Sequence, residues 1–165
     1  MKWIKEIKGN PGLLPKILVT IYRIGYFIYF KVKIPVIRQL LYFVYRLLDL
    51  LIVKLLLNCD LLGSVKIGPG LKIYHPYGII INDSAVIGSN FTVRAQVMIG
   101  NKGKKDSKCP VIEDNVDIGI GAKIIGGVRI GKNSTVGTNA VVTKSFPEQS
   151  ILVGAPAKNI SNHEK

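Results

Sequence analysis

From Leu61 onward an aliphatic residue returns at every sixth position. The hexads read LLGSVK (61), IGPGLK (67) and IYHPYG (73). After two extra residues, Ile79 and Ile80, they continue as INDSAV (81), IGSNFT (87), VRAQVM (93) and IGNKGK (99). Beyond an insertion they resume as IEDNVD (112), IGIGAK (118), IIGGVR (124), IGKNST (130), VGTNAV (136) and VTKSFP (142). The first position is Leu, Ile or Val in all 13 hexads, the second is often Gly, and the fifth is often small or apolar. Such a period predicts short strands joined by turns and stacked into a parallel β-helix, one side per hexad. The first-position aliphatics then point inward. Each coil buries that face only against its neighbours, so the coils stabilise one another. Three hexads per coil predict roughly four coils. The repeat itself does not set the handedness.

Residues 1–58 follow another period. LLPKILVTIYRIGYFIYF and IPVIRQLLYFVYRLLDLLIVKLLLN read as helices, apolar nearly all round, with a charge every few positions. Pro35 suits a helix start. A helix apolar on most faces is buried in a large core or lies in lipid, and a chain of 165 residues offers limited core for two of them. The expectation is contact with the membrane interface or packing between subunits. Tyr42 and Tyr45 are then interface aromatics, or core. A true span is disfavoured: the stretch 17–30 is short and contains Arg23, and Arg38, Arg46, Asp49 and Lys54 interrupt 34–57. A Gly-Asn-Pro-Gly turn at 9–12, with no clear cleavage site after the apolar part, argues against a signal peptide. The organisation expected is a basic, apolar helical region over 1–58, a β-helix over 59–148, and a closing tail over 149–165.

The net charge is +13, and residues 1–58 hold ten Lys or Arg against only Glu6 and Asp49. A basic surface draws anions: nucleic acid, anionic lipid or a phosphorylated cofactor. Two cysteines, Cys59 and Cys109, make no disulfide framework and suit a reducing compartment. The two histidines are His75 and His163. With one of them in the tail, a three-histidine zinc site is not expected, nor is any other metal. His75 stands at the third position of its hexad, in the outward part of the repeat. The insertion NKGKKDSK at 101–108 breaks the rhythm, and such breaks form loops that often carry binding. Its four lysines suit phosphates, or form a solvated charged loop.

The hexads, with SILVGAPAKNI at 150–160, resemble the left-handed β-helix of the hexapeptide-repeat acyltransferases. From Cys59 to Ile160 the likeness is to the serine O-acetyltransferase branch. IYHPYGIIIN, FTVRAQVMIGNKG and CPVIEDNVDIG look closest to the colanic-acid and capsular polysaccharide O-acetyltransferases within it. The resemblance implies a mainly β fold, a left-handed parallel β-helix preceded by helices, and a homotrimer whose sites lie between subunits. In that branch a catalytic His follows its Asp partner by fifteen residues, the spacing of Asp60 and His75. The branch carries Asp-Ile-His-Pro where this chain has Asp60-Leu61-Leu62, so the flanking His is missing.

The groups that hold serine in that branch have changed. The acid before the catalytic His is Tyr74, and the Arg-His pair that grips the carboxylate is Lys108 and Cys109. A free amino acid needs partners for its carboxylate and its ammonium. A buried polar group left unpaired costs about 1–3 kcal/mol. A neutral sugar hydroxyl, stacked on Tyr74 or Tyr77, fits better. The resemblance implies acetyl-CoA as donor, with the Gly100-Asn101 turn as oxyanion wall and Lys102 beside it. Ile120, Thr138 and Lys158 would lie along the pantetheine and adenine track. Cys109 is read as a small packing residue, or as a reactive thiol beside the cofactor. The reading is a sugar O-acetyltransferase of bacterial exopolysaccharide or capsule synthesis, cytoplasmic, at the inner face of the membrane. It acts on a sugar or lipid-linked glycan and has no nucleic-acid partner. The alternatives are a serine O-acetyltransferase of cysteine biosynthesis and a non-enzymatic β-helical scaffold.

Overall fold

The computed structural model describes residues 2–104 and 107–161; His163, Lys105 and Asp106 lie outside them. Three helical segments come first: α1 (Lys2–Gly9), α2 (Leu13–Lys31) and α3 (Pro35–Leu48), the last continuing as a π-helix over Asp49–Leu56. A three-sided parallel β-helix follows. Its first face stacks Asp60–Leu61, Ile80–Ile81, Met98–Gly100, Lys123–Ile125 and Val141–Val142. The second stacks Lys66–Ile67, Val86–Ile87, Val111–Ile112 and Arg129–Ile130. The third stacks Lys72–Tyr74, Thr92–Arg94, Asp117–Ile118, Thr135–Val136 and Ile151–Val153, and Lys158–Asn159 closes it antiparallel.

The hexad's first position builds the core. All 13 of these residues are buried, none above 3% exposed. They pair in register, Leu61 over Ile81 over Ile99 over Ile124 over Val142 on the first face. The sequence predicts roughly four coils, and the first face carries five levels. Thirteen hexads are four coils of three and one more: the thirteenth, at Val142, is the first face's fifth level, and Ile151–Val153 adds a fifth rung to the third face outside the counted hexads.

The helices do a job the sequence reading did not assign to them: α1 and α2 seal the first coil. A solenoid's end coil presents unpaired backbone groups and apolar side chains. Leu18, Val19 and Tyr22 of α2 are fully buried. Tyr22 donates from its hydroxyl to the Val65 carbonyl at 2.9 Å. Arg23 donates to the carbonyls of Ile67 and Gly68 at 3.0 and 2.6 Å, and pairs with Glu6 at 2.8 Å. Glu6 in turn accepts from Gly70 N at 3.0 Å. The buried pair is thus satisfied on both sides, as a desolvated ion pair must be. Helix α2, at 19 residues, is long and apolar enough to cross a membrane, where the sequence reading took 17–30 as too short. Its Arg23, however, is buried in the clamp on the first coil.

Helix α3 packs on α2 through Tyr42 and Tyr29, ring centroids 6.4 Å apart, and on the β-helix through the Tyr45 hydroxyl, which accepts from Gly63 N at 2.8 Å. Burial pushes the Tyr45 phenol up to about 12. Asp49, one turn on, is 1% exposed with no hydrogen-bond partner on either carboxylate oxygen.

Candidate active site

Where the third face turns into the first, the chain forms a column of corners. Gln96 N donates to Tyr77 O, Gly121 N to Ala95 O, and Asn139 N to Ile120 O, at 2.8, 3.0 and 2.8 Å. A left-handed residue recurs at this corner: Gly78, Gln96, Gly121 and Asn139 have φ of 64, 60, 72 and 57°. The uppermost corner departs from the rest because Ile79 and Ile80 lengthen it. Ile79 is fully buried, in the role the fifth hexad position usually takes, and Tyr77 is turned out, 48% exposed. His75 sits in the same bulge at φ 53°, a second left-handed residue in one corner. A non-glycine residue held there costs about 1–3 kcal/mol, and such strain gathers at functional sites.

The His75 ring is exposed and bonds to no other described residue. It opens onto a depression of about 360 Å³ lined by residues 11–15, Tyr74, Pro76 and Tyr77. None of these neighbours carries a carboxylate or a cationic side chain. Sequence reasoning missed the 11–15 wall, although the Gly-Asn-Pro-Gly turn that forms it was visible. Asn10 fixes that wall: its amide donates to Leu71 O at 2.9 Å, and its Oδ1 accepts from Ile73 N at 2.7 Å. The ring of Tyr74 has Arg94 at 5.3 Å and Lys72 at 6.0 Å, both within cation–π range. Arg94 is itself held by Asp117. Tyr77 is therefore the freer stacking surface.

Asp60 opens the first face. Cys59 Sγ donates to Pro76 O at 3.4 Å, which brings the neighbours of both Asp60 and His75 into contact. The two side chains are not hydrogen-bonded to each other. Asp60 instead has Lys54 at 3.4 Å, and its Oδ1 is buried without a hydrogen bond. It lines a second depression, of about 300 Å³, with Asn82, Met98, Gly100 and Asn101.

The remaining residues fall on two edges. Ile120 and Thr138 share the His75 corner, two and three levels along; at ~4.8 Å per level they trail it by about 10 and 14 Å. Lys158 lies exposed on the closing antiparallel strand, opposite Val153. Lys102 and Lys108 lie on the other edge, where the first face turns into the second. A methyl group added at Gly126 would lie 2.8 Å from Lys102 Cε, and one at Gly127 would lie 2.8 Å from Lys108 Cβ. The glycine pair thus lets both lysine stems cross the corner. Cys109 donates its thiol to Asn82 Oδ1 at 3.2 Å. Burial first, then Asp83, pushes that thiol's pKa up, which opposes a reactive thiolate and favours a bonded packing role. Asn82 is a residue the sequence reading did not single out; its signal was an amide at a second position, where Gly is common. No group of three potential metal ligands gathers among the described residues.

Residues 109–144 match the family described as bacterial transferase hexapeptide (six repeats). The putative colanic acid biosynthesis acetyltransferase WcaB of Escherichia coli K12 is 31% identical over 94% of this chain and 96% of its own length. The serine acetyltransferase of Synechococcus elongatus is 30% identical over 84% of this chain, which spans 54% of that enzyme. Among solved structures, the Neisseria gonorrhoeae serine acetyltransferase superposes with a TM-score of 0.72 at 28% identity, over 88% of this chain and 52% of that one. A serine acetyltransferase in complex with CoA gives 0.74 at 26% identity, over 91% and 58%. The chain therefore spans little more than half of these serine acetyltransferases. With its repeat, its stacked faces and these relatives, the chain belongs to the hexapeptide-repeat acetyltransferases.

Proposed function

We propose that this acetyltransferase moves the acetyl group of acetyl-CoA onto a sugar hydroxyl in exopolysaccharide or capsule synthesis. The observation that carries the reading is the lining of the His75 depression, which is apolar and aromatic and holds no carboxylate for the ammonium of an amino acid. A sugar ring stacks on Tyr77 and needs no counter-ion.

His75, neutral near pH 7, takes the acceptor's hydroxyl proton as that oxygen attacks the thioester carbonyl. The new C–O bond forms, the C–S bond breaks, and the imidazolium returns the proton to the departing sulfur. The products are an acetate ester and the free thiol. Asp60 would orient the ring and stabilise the imidazolium. Its Oδ1 has Lys54 Nζ at 3.4 Å but no hydrogen bond, so it retains a lone pair that a ring N–H would use. Backbone N–H groups at Gly100 and Asn101 would meet the oxyanion. Lys102 and Lys108 would hold the donor's phosphates, with Ile120, Thr138 and Lys158 along its track.

The lysine edge and the His75 edge are separated by the first face, a hexad of ~3.3 Å per residue and so roughly 15–20 Å wide. One copy does not bring them together; a threefold neighbour would set its lysine edge against this chain's His75 edge. That separation supports a trimer with sites between copies. The enzyme would work in the cytoplasm, at the inner membrane face where lipid-linked glycans are assembled.

Acetyl-CoA supplied with purified polysaccharide or its lipid-linked repeat unit is the deciding assay, read as thiol release and ester formation. Release with glycan and none with L-serine supports the proposal. The serine acetyltransferase reading is favoured by the names of several relatives and by the CoA complex. Saturable turnover of L-serine would replace the sugar reading with it.

A further inference from the structure

Helix α3 and its π-helical continuation turn an apolar face to solvent. Val36, Leu40, Phe43, Leu47, Leu51 and Leu55 are between 51% and 76% exposed. The first four follow the i, i+4, i+7, i+11 spacing of a single helix stripe. The adjacent row, Ile37, Leu41, Val44 and Leu48, is exposed as well, from 38% to 51%. Tyr45, Asp49 and Val53 form the opposite, buried side. A patch of this extent marks an interaction surface.

Its width and its charge identify the occupant. A seam for a second helix uses two positions in seven, whereas here two neighbouring rows are apolar. Every exposed charge from Lys31 to Arg46 is positive: Lys31, Lys33, Arg38 and Arg46. The acid of this stretch, Asp49, is buried. Two copies meeting through this face would bring like charges together, while an anionic bilayer complements both the broad apolar surface and its basic border. We propose that the outer face of α3 and the π-helix lies in the headgroup layer of an anionic membrane, parallel to its surface. The π-helix leads directly into Asp60, and Lys54 within it pairs with that carboxylate, so docking sets the Asp60 end of the β-helix against the membrane.

The inference rests on the membrane-face location proposed above and not on the identity of the acceptor. The full chain is floated with vesicles of phosphatidylcholine alone, and of phosphatidylcholine and phosphatidylglycerol in equal parts. The expected result is strong binding to the anionic vesicles and weak binding to the neutral ones. Replacing Leu40, Phe43 and Leu47 together with Gln should lower the partition coefficient about 100-fold. K33Q with R38Q should lower it about 30-fold on anionic vesicles only. The changed side chains are exposed, so both variants should keep the parent's melting temperature and its acetyl transfer to a water-soluble acceptor. Single F43Q provides a milder version should the triple variant misfold. The proposal is overturned if the parent stays unbound, if the Gln variants float like the parent, or if neutral vesicles bind equally well. It is also overturned if light scattering shows the parent as a larger assembly that the triple variant breaks, which would make a second copy the occupant. Loss of acetyl transfer with flotation intact would count against the catalytic reading alone.

Discussion

Gly63→Ala tests how the helical layer is fastened to the β-helix. Gly63 lies in the turn after the first strand, where α2 crosses closest to the coil. A methyl group there would stand 2.5 Å from Gly25 Cα and 2.5 Å from Tyr26 N, whereas ordinary contact begins at 3.4 Å. The opposing atoms are helix backbone, so no side-chain rotation relieves the clash; α2 must back away by about 1 Å. Its anchors resist that. Tyr22 to Val65 and Arg23 to Ile67, now 2.9 and 3.0 Å, would stretch beyond hydrogen-bonding range. Overpacking of this kind costs about 1–3 kcal/mol, and loss of the two buried hydrogen bonds adds about 2 kcal/mol. The sum, about 4 kcal/mol, corresponds to a drop of about 8–16 °C in Tm for a chain of this size. Thermal unfolding followed by circular dichroism, at fixed protein concentration, reads it directly. Gly9→Ala is the control, since nothing lies within 4 Å of a methyl group there. If Gly63→Ala melted within about 2 °C of the parent, the close crossing of α2 over this turn would be refuted.

Three further outcomes are expected. His75→Ala should cut acetyl transfer about 10²- to 10⁴-fold with an unchanged melting curve, and unchanged turnover would remove the ring from the mechanism. Lys102→Ala with Lys108→Ala should raise KM for acetyl-CoA about tenfold with kcat little altered; a fall in kcat at constant KM would contradict phosphate binding. Asp49→Asn should stabilise the protein at neutral pH, because the neutral amide removes a buried charge. Burial raises that carboxyl's pKa, only partly offset by Arg46 and Lys54, while Asp60 adds to the rise. The folded state therefore holds the proton more tightly than the unfolded chain. The parent's disadvantage appears as pH rises from the unfolded carboxyl value, about 3.9, through the raised folded one, and is absent below both. A difference in Tm that persisted unchanged in acid would refute the linkage.

The core was legible because its period is enforced physically. An inward residue that was not aliphatic would leave a gap in a stack five levels deep. Each of the 13 first positions could therefore be assigned without knowing its partner. The helical layer obeys no such rule. Glu6, Asn10 and Arg23 bind backbone groups 44 to 64 residues away, and each contact occurs once. Nothing repeats that could announce it, and an arginine in an apolar helix reads only as an interruption.

The site falls between these cases. The fifteen-residue spacing of Asp60 and His75, joined to the family likeness, selects two residues, and the repeat says that both lie near one corner. It does not say whether they touch. That depends on Ile79 and Ile80, which bulge the corner, put His75 at φ 53° and turn the ring outward, while Lys54 comes to lie beside the carboxylate. The hexads likewise assign Lys102 and His75 to opposite edges of one face but carry no information about a neighbouring copy. A repeat encodes which side a residue faces within its own solenoid. A site completed across copies, as proposed, would have to be read from what each edge leaves unsupplied. The nearest cations of the His75 edge are engaged, Arg94 by Asp117 and Lys123 by the carbonyls of Gln96 and Gly121, and the lysine edge carries no histidine.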